Sequence, residues 1–350
     1  MSNAAHGTVS HDVGPNVDDG LYSLGANEEL TASPGSDREL KYWLVNGVPS
    51  GNTNRLLLTM NAHKTVLAVI DWIPRTISVT NTNDTGTGSL RAALTDARDN
   101  DTITLPTNGT ITLTSVLPNI TTSITIEGNG TTLTQSGITP DTLTQLLVIS
   151  PPSVVKISRL HFKGGRATTY AGGLRNNGNL TLESCIFSDN QATTGGSGNG
   201  GAIVSGNSDA ILTVLGCTFY NNQPMGSSGK GGAIYFGGAA LTLTGNLFIG
   251  NTATTYPVVY NTGAGTVTSG GYNVSDKADG LFAFTSGFTG VTGDVFGVTG
   301  ISFDGASKPT SAGSTNLKTL TGLPSGFPTT YFDGTSRTTL PATAGAVEAD

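Results

Sequence analysis

Along most of the chain, apolar and polar positions alternate with a period of two over short stretches, as at Ile124 and Ile126, Leu180 and Leu182, and Leu241 and Leu243. That period marks strands with one buried face. The stretches themselves recur. Leu180, Leu182, Cys185, Phe187 and Asn190 are matched 32 residues on by Leu212, Val214, Cys217, Phe219 and Asn222, and after a further 29 by Leu241, Leu243, Asn246, Phe248 and Asn251. Twenty-five residues upstream of the first copy stand Val155, Ile157, Leu160, Phe162 and Gly165, and 31 before those stand Ile124 and Ile126. At least five units can be traced, and a repeat of this kind decides the architecture before any local feature does.

A unit of 25 to 32 residues with short alternating strands, turn-forming Gly and Asn, and no helical stretch predicts one coil of a parallel β-solenoid. Equivalent residues then stack about 4.8 Å apart. This predicts an aromatic column of Phe162, Phe187, Phe219 and Phe248, an amide ladder of Asn190, Asn222 and Asn251, and Cys185 above Cys217 in one further column. The pairs Gly172-Gly173, Gly200-Gly201 and Gly231-Gly232 are expected at sharp corners that need positive φ. Open solenoid ends invite pairing with other chains unless covered. One cover is predicted: Ser89 caps a helix whose Leu90, Ala93, Leu94 and Ala97 form a single apolar stripe. Residues 1–73 read as a separate small β module, with strands around Leu56-Leu58-Met60 and Thr65 to Ile70, and residues 76–350 as the solenoid with its C-terminal cap.

Composition narrows the class. Charged residues make up only 12% of the chain, against roughly 25% in an average soluble domain, whereas Gly supplies 49 and Thr 55 of 350 residues. A net charge of −7 is too small for a charge-driven disordered chain and has the wrong sign for a nucleic-acid-binding domain. No apolar run reaches the roughly 18 residues of a membrane-spanning helix, so no membrane insertion is expected. No cleavable export signal follows Met1, and the N-terminus is uninformative about targeting.

Specific motifs resemble known families. Gly88-Ser89-Leu90-Arg91-Ala92-Ala93-Leu94, followed by Asp101 to Leu105 and Gly109 to Leu113, resembles the entry to right-handed parallel β-helix proteins of bacterial surfaces. The repeated Gly-Gly-Ala-Ile (Gly200 to Ile203, Gly231 to Ile234) and Phe-x-x-Asn (Phe187 to Asn190, Phe219 to Asn222, Phe248 to Asn251) are similar to the repeats of chlamydial-type polymorphic outer-membrane proteins. Phe327-Pro328, Phe332-Asp333-Gly334 and Gly345 to Glu348 are similar to the terminal signature of such proteins. Residues 5–73 resemble a divergent internalin-type bacterial repeat through Gly20 to Tyr22, Leu30 to Pro34, Trp43 and Lys64 to Val69. These resemblances imply an all-β, right-handed parallel β-helix with a short N-terminal capping helix, preceded by a small β domain, on a secreted or cell-surface adhesin. The sequence departs from the autotransporter pattern, because too few residues follow the last repeat for a membrane β-barrel.

Candidate chemistry is sparse. Stacked side chains at Cys185 and Cys217 point the same way, which suits two buried thiols better than a bridge. Lys156, Arg159, His161, Lys163 and Arg166 form a basic run. With Leu160 and Phe162 inward, alternation puts Arg159, His161 and Lys163 outward on one strand as candidate contacts to a polyanion such as an acidic glycan. Between Thr102 and Ser275 the acidic residues are only Glu127, Asp141, Glu183, Asp189 and Asp209. None is expected to stack with another at a coil interval, Glu183 and Asp189 sharing a single coil, so paired-carboxylate catalysis is disfavoured. His6, His11 and His63 lack metal-ligand spacing, and no cofactor is implied. Trp43 is expected in the core of the small module. The expected function is non-catalytic: adhesion or display, with a glycan or a host or matrix protein as partner. The alternatives are a filament subunit, joined through solenoid ends or the first 20 residues as a homo-oligomer, and a polysaccharide lyase or glycoside hydrolase.

Overall fold

In a computed structural model, residues 7–11, 24–136, 145–168, 170–192, 198–263, 265–277, 282–283, 293–299, 301, 303, 327–337 and 344–345 are described. The chain divides into two compact units, Met1–Arg75 and Thr76–Asp350. In the first, Asn27–Pro34 pairs antiparallel with Gly7–His11 and Arg55–Thr59, and Arg38–Val45 pairs antiparallel with Val48–Pro49 and Val66–Trp72. Trp43, 1% exposed, packs with Ala32, Leu40, Leu56 and Leu58 while its indole N–H donates to the Thr53 carbonyl at 2.8 Å. Apart from 7–11, the opening 20 residues lie outside the described residues, and 7–11 is an ordinary sheet edge.

The second unit is an all-β, right-handed parallel solenoid of about seven turns, with one short helix among the described residues. The predicted columns form in register: Ile103, Ile126, Ile157, Leu182, Val214 and Leu243 stack through successive parallel pairings. The Phe162, Phe187, Phe219 and Phe248 rings stack face to face at 4.6, 5.0 and 4.8 Å, tilted by no more than 9°. The helix Leu90–Asp96 is capped by Ser89, whose Oγ accepts from the Ala92 N–H at 3.2 Å, and it buries Leu90 and Ala93.

Each coil bends at left-handed residues. One corner column is Arg159 (φ 53°), Ser184 (50°), Gly216 (59°) and Gly245 (61°). A second is Gly164, Asp189, Asn221 and Gly250. The third corner corrects the expectation that the glycine pairs serve positive φ: of their six residues only Gly200 and Gly231 have it. Bridges Tyr170–Asn199 and Asn199–Lys230 align Ala171 with Gly200 and Gly231, so Gly172 matches Gly201, not Gly200. Gly172 is needed for closeness rather than φ: a Cβ there would lie 2.1 Å from the Gly165 carbonyl oxygen.

Next to the first two corners run buried amide ladders. Asn190 Nδ2 donates to Asn222 Oδ1 at 2.9 Å, and Asn222 Nδ2 donates to Asn251 Oδ1 at 3.0 Å. Each Oδ1 also accepts the backbone N–H of the Asn one coil before, and each Nδ2 also reaches a Phe carbonyl, Asn222 to Phe187 at 2.9 Å. The cysteines belong to a second ladder of the same design. Cys185 N–H points at Cys217 Sγ (3.4 Å), Cys217 N–H donates to Asn246 Oδ1 (2.8 Å), and Asn246 N–H donates to Asn273 Oδ1 (3.0 Å). Both cysteines are free, buried thiols, and burial pushes the Cys217 thiol up, keeping it protonated.

Asn222→Leu strands a buried backbone N–H, a side-chain amide and a carbonyl at once, so urea unfolding should show a loss of about 3 kcal/mol or more; an unchanged midpoint would refute the ladder's weight. Cys217→Asn supplies the amide that the second ladder uses in later coils, and its melting temperature should be at least that of the parent protein, whereas Cys217→Val should melt lower.

Candidate functional site

The basic run does not make a basic face. Arg159 sits at a left-handed corner that breaks the alternation of Val154–Lys163, so it does not share a row with His161 and Lys163. Its Nε donates to the Phe332 carbonyl at 3.1 Å and Nη1 to Asn129 Oδ1 at 3.4 Å. Lys156 pairs with Glu183 at 2.8 Å. Lys163 is half-buried.

His161 is the clearest correction: it is 5% exposed rather than at the surface. Alternation does turn it away from the solenoid interior, but the C-terminal segment lies over that outer face. His161, Ile186, Thr218, Leu247 and Val274 form one outward column, all buried. Phe332 meets the His161 ring edge-on at 6.1 Å and packs on Ile186. Arg337, fully buried, is the anchor of this strap: its guanidinium lies 3.9 Å from the Tyr331 ring centre and donates to the Gly216 and Gly345 carbonyls. Ser184 Oγ donates to the Thr330 carbonyl at 2.6 Å. The strap thus binds the polar groups that the first corner column turns outward.

Beside the strap lies a cleft of about 390 Å³ lined by Glu127, Lys156, Ser158, Arg159 and Glu183 among others. Glu127, Ser158 and Glu183 are in register, so two carboxylates do share a column, two coils apart. Ser158 stands between them, so no carboxylate stacks directly on another at one coil interval, as expected, although the two share a column. The intervals of 31 and 25 residues, already visible in the apolar positions, carry Glu127 to Ser158 and then to Glu183.

The larger cleft, about 510 Å³, lies on the outer face of a different sheet. That sheet runs through Leu147–Ile149, Leu174–Asn176, Ile203–Ser205, Ile234–Phe236 and Val259–Asn261. Each strand has three residues with both ends inward, so the middle one projects outward. The outward column is Val148, Arg175, Val204, Tyr235 and Tyr260. A neighbouring column carries Tyr170, Asn199 and Lys230. The Arg175 guanidinium stands 5.1 Å from the Tyr170 ring centre, and Lys230 Nζ stands 4.6 Å from that of Tyr260 and 3.4 Å from its hydroxyl. Tyr235 and Tyr256 each lie 5.2 Å from Tyr260. Burial, as the largest influence, raises the Tyr235 phenol above its ordinary value, so its hydroxyl is neutral and can donate. Asn177 and Asn207 add amides to the wall.

Sequence reasoning did not single out this site, because it traced the inward columns and left the outward residues of this sheet unassigned. The signal was present: Leu174-Arg175-Asn176, Ile234-Tyr235-Phe236 and Val259-Tyr260-Asn261 share an outward middle residue between two inward ones. Among the described residues, no group of three or more His, Cys, Asp or Glu could hold a metal ion, and no helix is long and apolar enough to cross a membrane.

Fold and site together define a parallel β-solenoid with one outer face strapped shut and another carrying an open aromatic and cationic cleft. The sequence profile of the right-handed β-helix region matches residues 103–278, half of the chain, and the protein belongs to that family. Such regions occur in surface proteins and adhesins and also in polysaccharide-degrading enzymes. No curated protein matches the chain.

Burial, first, and the charge of Lys163, second, lower the His161 pKa from 6.5 to about 3, with Ser188 Oγ 2.8 Å from Nε2 and Thr132 Oγ1 3.5 Å from Nδ1. The unfolded chain takes up this proton at the ordinary value and the folded one does not, so the contribution is full above about 6.5 and is lost as pH falls toward 3. Between pH 7 and 5 it amounts to about 2 kcal/mol. Urea unfolding of the parent protein should weaken over that interval by this much more than that of His161→Gln; equal slopes would show that His161 titrates normally in the fold.

Proposed function

We propose that the protein is a non-catalytic carbohydrate-binding protein of the cell surface or the extracellular space, which holds a glycan in the cleft bounded by Tyr170, Arg175, Asn177, Asn207 and Tyr235. One observation carries the reading: tyrosine rings and cations are gathered on a sheet face that no other segment among the described residues is seen to strap. Sugar rings present apolar C–H faces and hydroxyl edges, which match a tyrosine face framed by amides and a phenol. The cleft is held ready by the solenoid backbone rather than by a loop, so little order is lost on binding.

The resemblance of the Gly-Gly-Ala-Ile and Phe-x-x-Asn repeats to those of polymorphic outer-membrane proteins supports the surface setting. A polysaccharide-degrading activity would need Glu127 and Glu183 as acid and base. Glu183 is instead paired with Lys156, and the strap residues Pro328 and Thr330 border that cleft, which favours a structural use of these carboxylates.

A glycan array should give binding without cleavage. Tyr235→Ala should weaken the best ligand about tenfold, ~1.4 kcal/mol, with an unchanged melting temperature. Release of reducing ends or unsaturated products from the bound polysaccharide would overturn the non-catalytic reading, and an array with no binding would overturn the glycan reading.

A further inference from the structure

We infer that the ligand of this cleft is anionic, an oligosaccharide carrying carboxylate or sulfate groups, and that Arg175 is the residue that selects it. The inference rests on the glycan reading above and adds its charge.

Arg175 Nε is enclosed by protein yet, among the described residues, meets no acceptor, and the guanidinium forms no ion pair with any of them; the Tyr170 ring centre lies 5.1 Å away. Buried donors are normally satisfied, because a donor withdrawn from water without a partner loses its hydration and gains nothing in return. The other arginines lining or strapping the solenoid behave that way: Arg159 and Arg337 each meet backbone carbonyls. Arg175 stands apart from them. Among the described residues that line the cleft there is no Asp or Glu, although the whole chain carries a net charge of −7. Lys230 adds a second cation along the same face, at the Tyr260 hydroxyl. The terminal Nη1–Nη2 edge of a planar guanidinium matches a carboxylate or a sulfate through two parallel hydrogen bonds, and a neutral hydroxyl uses only part of that edge.

The spacing suits a chain molecule. Arg175 and Tyr235 occupy one column two coils apart, about 10 Å, and Tyr260 follows one coil on. A short oligosaccharide lying along the solenoid axis can place one anionic group on Arg175 while its next rings rest on Tyr235 and Tyr260. Four residues enclose the Arg175 end. The connection from Ser205 to Ala210 is three residues longer than its counterpart from Asn176 to Gly178, and its Gly206 and Asn207 form the lip of the cleft. On the other side stand Pro151 and Asn177.

The test is titration calorimetry of the full chain with three oligosaccharides of equal length: oligogalacturonate for carboxylate, a sulfated galactan fragment for sulfate, and neutral galacto-oligosaccharide. A synthetic poly-glutamate peptide is the fourth probe. At least one acidic sugar should bind tenfold or more tightly than the neutral one, and its affinity should fall as salt rises. Arg175→Gln, with its melting temperature unchanged, should abolish that preference, and Arg175→Lys should restore only part of it. Equal affinity for acidic and neutral sugars overturns the anionic inference and leaves the glycan reading standing. Acidic preference that survives Arg175→Gln overturns the assignment of Arg175. Binding of poly-glutamate as tightly as of the sugars points to an acidic protein partner and overturns both readings, as does binding of none.

Discussion

A coil that turns sharply must find partners for the backbone groups at its bends, and in this protein side-chain amides supply them. At one bend Asn222 accepts the Asn190 N–H and donates to the Phe187 carbonyl, and the same arrangement passes from coil to coil. Without it, each bend would leave an N–H and a C=O buried without partners. The consequence is register: once an amide must meet the amide one coil away, the neighbouring Phe rings and the aliphatic columns are brought into alignment with it. Cys217 shows the tolerance of the design. A thiol takes the amide's place at one position of the second ladder, with Sγ as a weaker acceptor and the Asn246 amide resuming the pattern in the next coil.

Stacking leaves the outer faces of the sheets, and these have different fates. The face holding His161, Ile186 and Leu247 is closed by the C-terminal strap, with Phe332 over the first two and Arg337 bound to corner carbonyls. The face holding Arg175, Tyr235 and Tyr260 leaves its aromatic and cationic groups along an open cleft. One solenoid geometry thus gives a covered face on one side and, on the proposed reading, a recognition face on another. Because every outward residue is spaced by the strand separation, a binding surface here is a linear array, which suits an extended chain molecule better than a compact one.

How much could be read in advance depended on what each residue faced. Leu180, Leu212 and Leu241 were legible as a column because their neighbours are copies of themselves at fixed intervals. Ser89 was legible as a cap because its partner, the Ala92 N–H, is three residues away. His161 was not, since alternation says which side of a strand a residue takes but not what lies over that side. A clue was there in Ile186-Phe187 and Leu247-Phe248, adjacent apolar pairs that mark strands buried on both faces. The glycine pairs were read alike for a related reason: spacing does not show that Gly172 is required by a close backbone approach and Gly200 by its left-handed φ.

By itself the sequence determined the coil, its inward columns and its capping helix, because these arise from periodicity and from contacts between near copies. The tertiary structure decided which outward residues meet solvent. That outcome rests on a segment some 170 residues downstream of His161, whose Phe332 carbonyl accepts from Arg159 and whose ring covers the histidine. No period in the chain encodes such a contact, because the strap is not a repeat and its partners are backbone groups, which every residue type supplies alike.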